Sequence, residues 1–246
     1  MEQTDEIFAK LNEDNALADK EQGVLRISHD AKNKVAIGDF SRGGKNWTKV
    51  KTGDHDFAKE HITPYVFNLP ARKQSVLYFV ESKVTADCIV DLLIDFVQFN
   101  PDLFKGIHTI VLNSDNGPEV NSRRTQFIKR ICEFSCQFNL KVKLAYYPPY
   151  HSKYNPAERV FGGLEQHWNG DVMDTKETVL KFAKSFVWAG KKPGVRLWSK
   201  NYMTGNKLSV KIMQIYEDAI DRYDEYIGKW FVTIDPLKVK DIIKYG

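Results

Sequence analysis

The stretch that most limits what this chain can fold into runs from Ile107 to Trp168. An apolar run, Ile107–Leu112, ends on Ser114-Asp115-Asn116-Gly117. A helical pattern follows over Ser122–Phe138, with Phe127, Ile128, Ile131, Phe134 and Phe138 on one face. Lys141–Tyr146 then reads as a short strand, and Pro156–Trp168 as a helix with Ala157, Val160, Phe161, Leu164 and Trp168 inward. Strand, helix, strand, helix is the order of parallel crossovers, because parallel neighbours cannot be joined by a tight turn.

The preceding half reads differently. Gly23–Asp30 is a strand with Leu25, Ile27 and His29 on one face and Arg26, Ser28 and Asp30 on the other. Lys34–Phe40 reads as its return strand, and Ile62–Leu69 with Ser75–Ser82 as a hairpin joined by Pro70-Ala71-Arg72-Lys73. Ala86, Ile89, Val90, Leu93, Phe96 and Val97 recur at helical spacing until Asn100-Pro101. The expected class is therefore α/β: a mixed sheet begun by antiparallel hairpin strands, finished by parallel crossovers and flanked by helices. Residues 1–22 form an acidic leading segment, with a short helix over Glu6–Leu17 that faces Phe8, Leu11 and Leu17 inward. The core is expected over residues 23–170, with a loop insertion at 41–61, and a helical extension (Thr175–Val187, Ser209–Tyr223) packed on it over 171–246.

Three acids punctuate this order. Asp30 and Asp115 end predicted strands, and Glu158 opens the helix after the next strand. Each has an ordinary reading: Asp30 and Asp115 as turn residues, and Glu158 as the third helical residue of a capping box begun by Asn155 and Pro156. Together they suit a two-metal phosphoryl-transfer site. Adjacent carboxylates repel and raise each other's pKa, a divalent cation relieves that, and hard oxygen donors favour Mg²⁺ or Mn²⁺. Asp39 is the rival first acid, and Asp54, His55 and Asp56 read as loop residues.

Charge and composition narrow the partner. Residues 1–22 hold seven acids against two lysines, a net of −5; the formal total of +4 leaves +9 for the rest, which suits a polyanion. Arg42, Lys45 and Trp47 in the insertion, Arg123 and Arg124 after the second acid, and His151 and Lys153 before the third are the candidate DNA contacts. Cys88, Cys132 and Cys136 make no zinc pattern and fit small core residues in a reducing compartment. Gly43-Gly44-Lys45 lacks P-loop spacing, so no nucleotide cofactor is expected; nor is a membrane segment or secretory signal.

These residues carry a resemblance. The chain resembles an RNase H-like DDE transposase, of the bacterial insertion-sequence (ISAzo) type. Leu25–Lys32 resembles the strand of the first acid, Phe40–Lys45 and Asp54–Phe57 the loop after it, and Asn113–Gly117 the second-acid motif, which is also similar to retroviral integrases. Pro148-Pro149 through Asn155 to Glu158 is similar to the third-acid motif, echoed in mariner-type transposases. The resemblance runs on through Trp168-Asn169-Gly170 and Tyr202–Gly205 to Gly228-Lys229-Trp230. It implies an enzyme that cleaves DNA at insertion-sequence ends and transfers the freed 3′-hydroxyl to target DNA, with Asp30, Asp115 and Glu158 as catalytic and metal-binding residues and two Mg²⁺ or Mn²⁺ ions. It also implies a homo-oligomer working on nucleoid DNA in a bacterial cytoplasm. The helix-turn-helix region usual ahead of such a domain has no room here, and His29 and Ala31 depart from the residues expected beside the first acid. A nuclease or resolvase on the same fold, or a domesticated non-catalytic DNA-binding remnant, are the alternatives.

Overall fold

The structure is a computed structural model that describes residues 2–38 and 60–245. In chain order the elements are α1 (Glu2–Lys20), β1 (Val24–Ala31), β2 (Val35–Ile37), β3 (Glu60–Leu69), β4 (Gln74–Val80), α2 (Ala86–Phe99), α3 (Pro101–Phe104), β5 (Thr109–Ser114), α4 (Thr125–Phe138) and β6 (Lys141–Tyr146). They continue with α5 (Pro156–His167), α6 (Lys176–Ser185), β7 (Gly194–Trp198), α7 (Val210–Ala219), β8 (Ile220–Arg222), β9 (Phe231–Ile234) and α8 (Pro236–Tyr245).

The chain forms two compact units. The first comprises residues 1–29, 84–155 and 202–246. Its sheet is built on β5: β1 pairs with it in parallel from Val24 opposite Thr109 to Ser28 opposite Asn113, and β6 runs parallel on its other side. β9 pairs antiparallel with β6, and β8 antiparallel with β9. Every residue of β5 is buried, as a strand with neighbours on both edges and both faces requires. The crossover helix α4 turns Phe127, Ile128, Ile131 and Phe134 into the core and packs on α2, α7 and α8. α2 is capped by Thr85, whose side chain accepts from the Cys88 amide, and buries the six residues whose spacing predicted it.

The second unit comprises residues 30–83 and 156–201. β3 and β4 form the expected hairpin, in register from Leu69 opposite Gln74 to Thr63 opposite Val80. The Pro70–Arg72 turn closes through Lys73 in the left-handed region, φ 50°. β2 pairs with β3 antiparallel, and β7 with β4 in parallel. α5 packs on β3 and α6 on β7, around a core that includes Val66, Phe79, Phe161, Leu164 and the fully buried Trp168.

Several boundaries depart from expectation. α1 spans 19 residues rather than a short piece. Its Lys10–Asp14 pair (2.7 Å) and the burial of Ile7, Leu11 and Ala18 outweigh the weak helix formers Asn12 and Asn15, while Leu17 is exposed. The strand expected to return beside β1 contains only Val35–Ile37 within the described residues and pairs with β3 instead. The region after residue 170 holds the two expected helices, as α6 and α7, but is not helical alone. It supplies the strands β7, β8 and β9, too short for periodicity to reveal, and its residues divide between the two units. The predicted Ser209–Tyr223 helix stops at Ala219 because Ile220 turns extended to pair with Ile234. Asp39, the loop 41–61 up to residue 59, and with it Arg42, Lys45, Trp47, Asp54, His55 and Asp56, lie outside the described residues.

Trp168 packs edge-on to Phe79 with ring centroids 6.4 Å apart. Truncation of a fully buried aromatic loses its transfer free energy and leaves a cavity. Trp168→Ala is expected to destabilise the protein by about 3–5 kcal/mol, read as a lower midpoint in urea denaturation with an unchanged slope.

Candidate active site

β5 delivers Asp115. The strand is buried through Ser114, and the chain leaves it at Asp115, which keeps partial access to solvent. The Gly117 amide and the Ser114 hydroxyl both donate to its carboxylate, yet burial is the larger effect and pushes its pKa above the ordinary 3.8. A Cβ on Gly117 would lie 3.2 Å from Asp115 Oδ1, so the absence of a side chain lets the turn close over the carboxylate.

Asp30 lies near the end of β1, where its Oδ1 accepts the Ala31 amide at 2.7 Å. His29 beside it is buried, and desolvation lowers its pKa to about 4, so it is neutral at physiological pH. The unexpected residue before the first acid is thus an uncharged part of the core. Glu158 is in the first turn of α5 and exposed, in reach of a ligand and favourably placed for the helix dipole.

Asn155 is the residue whose importance the sequence understated. Its side chain is fully buried and reaches β1: its Oδ1 accepts from the Ser28 hydroxyl, and its Nδ2 donates to the His29 carbonyl at 3.2 Å. The loop that leads to the third acid is therefore pinned to the strand that leads to the first. The remainder of that loop is braced by rings. Phe8 of α1 meets His151 and Tyr154 edge-on at 5.3 Å each, and His151 Nδ1 lies 2.7 Å from the Pro149 carbonyl oxygen. Tyr150 between them is fully exposed with φ 65°. No sequence period links Phe8 to this loop, since the two are more than 140 positions apart.

The candidate DNA contacts differ in their surroundings. Arg124 is paired with Glu119 at 3.4 Å, and Arg130 in the same region with Asp91 and Glu133, so that helix face is largely neutralised. Arg123 is exposed. Lys153 holds its ammonium 5.3 Å from the Tyr154 ring, and His151 is committed to the aromatic brace. Cys88 and Cys132 are buried as expected, burial pushing the Cys132 thiol far up, while Cys136 is only half-buried.

Hard carboxylate donors, one of them partly buried with its charge disfavoured, fit a Mg²⁺ or Mn²⁺ site by their chemistry. Among the described residues no three His, Cys, Asp or Glu side chains are gathered as a formed metal site. No helix among the described residues is long and apolar enough to cross a membrane.

The Asn155 tether has a measurable signature. Asn155→Ala is expected to cost about 1–3 kcal/mol, the range for breaking buried hydrogen bonds. A double-mutant cycle with Ser28→Ala should show coupling of about 0.5–3 kcal/mol. Additive effects would mean that Asn155 acts only as a local cap.

The model of the family described as the Rhodopirellula transposase DDE domain matches residues 1–236. No curated protein matches the chain. Among solved structures it is similar to the Mos1 mariner paired-end complex with Mn, at 14% identity and a TM-score of 0.51, over 74% of this chain and 53% of that one. It is likewise similar to the pre-cleavage Mos1 transpososome, at 14% identity and a TM-score of 0.52 over the same shares, 74% and 53%. The Mos1 transposase paired-end complex with the left transposon end matches at 13% identity and a TM-score of 0.51, over 74% and 52%. The chain spans about half the length of these proteins. At such identity the likeness is one of fold, and it bears out the mixed sheet expected from the strand order and the RNase H-like fold that the resemblance implied. With nearly its whole length matched, the chain belongs to the Rhodopirellula transposase DDE-domain family.

Proposed function

We propose that this chain is the catalytic domain of a transposase, and that Asp30, Asp115 and Glu158 act together on a DNA phosphodiester. The observation that carries the reading is the register of β1 on β5. Ser28 stands opposite Asn113, Asp30 is two residues beyond the one and Asp115 two residues beyond the other. The third acid follows Asn155 by three residues, and Asn155 is bonded to Ser28 and His29. Ligands in such sheets bind outside the carboxyl ends of parallel strands, which is where both aspartates fall.

Divalent ions held by these carboxylates would supply a lowered pKa for the attacking water or 3′-hydroxyl and neutralise charge on the phosphate. The chain's own part is orientation. Gly117 and Ser114 fix the Asp115 carboxylate, the Ala31 amide fixes that of Asp30, and the Asn155 tether sets where α5 begins. Three negative groups repel unless a cation draws them in, so the ions would complete the site rather than find it formed. Cleavage at the end of an element and transfer of the freed 3′-hydroxyl to target DNA is the reaction proposed. Joining two ends asks for at least two copies of the chain.

Asp115 sets a pH and metal test. Its folded pKa is raised, so ionisation costs stability as pH climbs through the window above the unfolded value, and the cost is absent below it. Asp115→Asn is therefore expected to raise the melting temperature of the metal-free protein at pH 7, with the gain vanishing at about pH 3. Mn²⁺ should raise the melting temperature of the wild type and not of the variant.

Activity is tested with a pre-nicked element end, supercoiled target DNA and Mn²⁺. Joined product that is lost in Asp115→Asn and in Glu158→Gln supports strand transfer. Cleavage without joining would move the assignment to a nuclease. Neither cleavage nor metal-induced stabilisation would leave the three acids with structural roles alone.

A further inference from the structure

Two cations, Arg123 in the segment that follows the second acid and Lys229 in the turn before β9, take no part in the proposed chemistry. The turn between β8 and β9 folds tightly on itself: Asp224 Oδ1 accepts the amides of Tyr226 at 2.9 Å and of Ile227 at 2.6 Å. A Cβ on Gly228 would lie 2.1 Å from the Asp224 carbonyl oxygen, so only glycine lets this turn close. The closed turn is stapled to the segment that follows Asp115. Ser122 Oγ donates to the Lys229 carbonyl at 2.6 Å, and Arg222 donates to the Ser122 carbonyl at 2.9 Å while forked with Glu217.

The staple brings Lys229 beside Arg123, and both line one open cavity of about 650 Å³. The Lys229 ammonium sits 3.7 Å from the centroid of the Trp230 ring. Its pKa is lowered by desolvation first and then by the charge of Arg123. Of the acids that line the cavity, Glu217 pairs with Arg222 and Asp224 caps the turn, while Glu225 is exposed to solvent. Among the described residues neither Arg123 nor Lys229 has an ion-pair partner. Two like charges held together this way are stabilised by an anion between them.

Tyr146 connects the segments that line the cavity with the second acid. Buried Tyr146 donates its amide to the Trp230 carbonyl at 3.0 Å and its hydroxyl to the Val120 carbonyl at 2.6 Å. The charges of both Arg222 and Asp115 reach that hydroxyl. We propose that Arg123 and Lys229 form a seat for a backbone phosphate of DNA, holding one strand where it approaches Asp115. The seat rests on the reading of this chain as acting on DNA. It names what recognises the strand: a guanidinium for in-plane contact with phosphate oxygens and a point charge from the other side. It also gives Gly228-Lys229-Trp230 a job, with the glycine closing the turn, the lysine meeting the ligand and the tryptophan supporting the ammonium.

The test is lysine acetylation of the whole chain with a limiting reagent, read by mass spectrometry, with and without a duplex of about two helical turns. Lys192 serves as an exposed control. Duplex is expected to protect Lys229 several-fold and Lys192 little, with protection of Lys229 largely lost in Arg123→Ala. In parallel, Arg123→Ala and Lys229→Ala should each weaken duplex binding and lower the salt slope by about 1, while Lys229→Arg keeps most of the affinity. Duplex binding with Lys229 still fully reactive and slopes unchanged would overturn the seat and leave the DNA reading standing. Protection by pyrophosphate but not by duplex would identify a free-phosphate site and overturn the assigned occupant. No binding of duplex and no protection by either would overturn the seat and the DNA reading together.

Discussion

The pairing of β1 with β5 is the constraint on which the rest depends. A parallel pair fixes which ends of two strands lie side by side, and the last pair here is Ser28 opposite Asn113, with Asp30 two residues on in one strand and Asp115 two residues on from the other. A slip of one residue would turn every side chain of β1 to the opposite face and bury Asp30 or expose Ile27. The register is held by apolar burial along the strand, Leu25 and Ile27 being nearly inaccessible, and by the Asn155 carboxamide at its end.

That carboxamide carries a second consequence. A side chain in the first turn of a helix is only as well placed as the loop that starts the helix. In this chain the loop is anchored by one buried side chain and braced by the rings of Phe8, His151 and Tyr154. α1 thereby acquires a structural purpose. Its acidic surface hides an apolar stripe through Ile7 and Leu11, and its Phe8 braces the loop at His151 and Tyr154. The acidity that set residues 1–22 apart in the sequence is the solvent face of this helix, partly answered by Lys10 and by the Arg26–Asp19 pair at 2.6 Å.

Electrostatics around the second acid follow one pattern. The cations on the helix after it are neutralised by neighbours such as Glu119, Asp91 and Glu133, while Arg123 is left without one among the described residues. A count of basic residues along the chain would rank these arginines together. What separates them is which carboxylate lies within reach: Glu119 and Glu133 are near in sequence, whereas Asp91 reaches Arg130 only because α2 and α4 meet across 39 residues.

Much of this was legible in the sequence because it is local. Helical spacing in 86–97 and 127–134, the alternation in β1, and the proline-led start of α5 are properties of neighbouring residues, and they fixed the order of elements and hence the fold class. The carboxylates at Asp115 and Glu158 stood out for the same reason, each sitting at the junction of a pattern with a turn. Tertiary structure alone decided the rest. The strands β7, β8 and β9 are only three to five residues long and become strands because partners were waiting at β4 and β6. Asn155 has the sequence look of a helix cap, and its reach to Ser28, 127 positions away, needs the folded chain. Lys229 is one of many lysines until Gly228 closes a turn and Ser122 draws it beside Arg123. Local patterns specify which way a segment winds, whereas a site needs groups from distant segments at bonding distance, and only packing sets those distances.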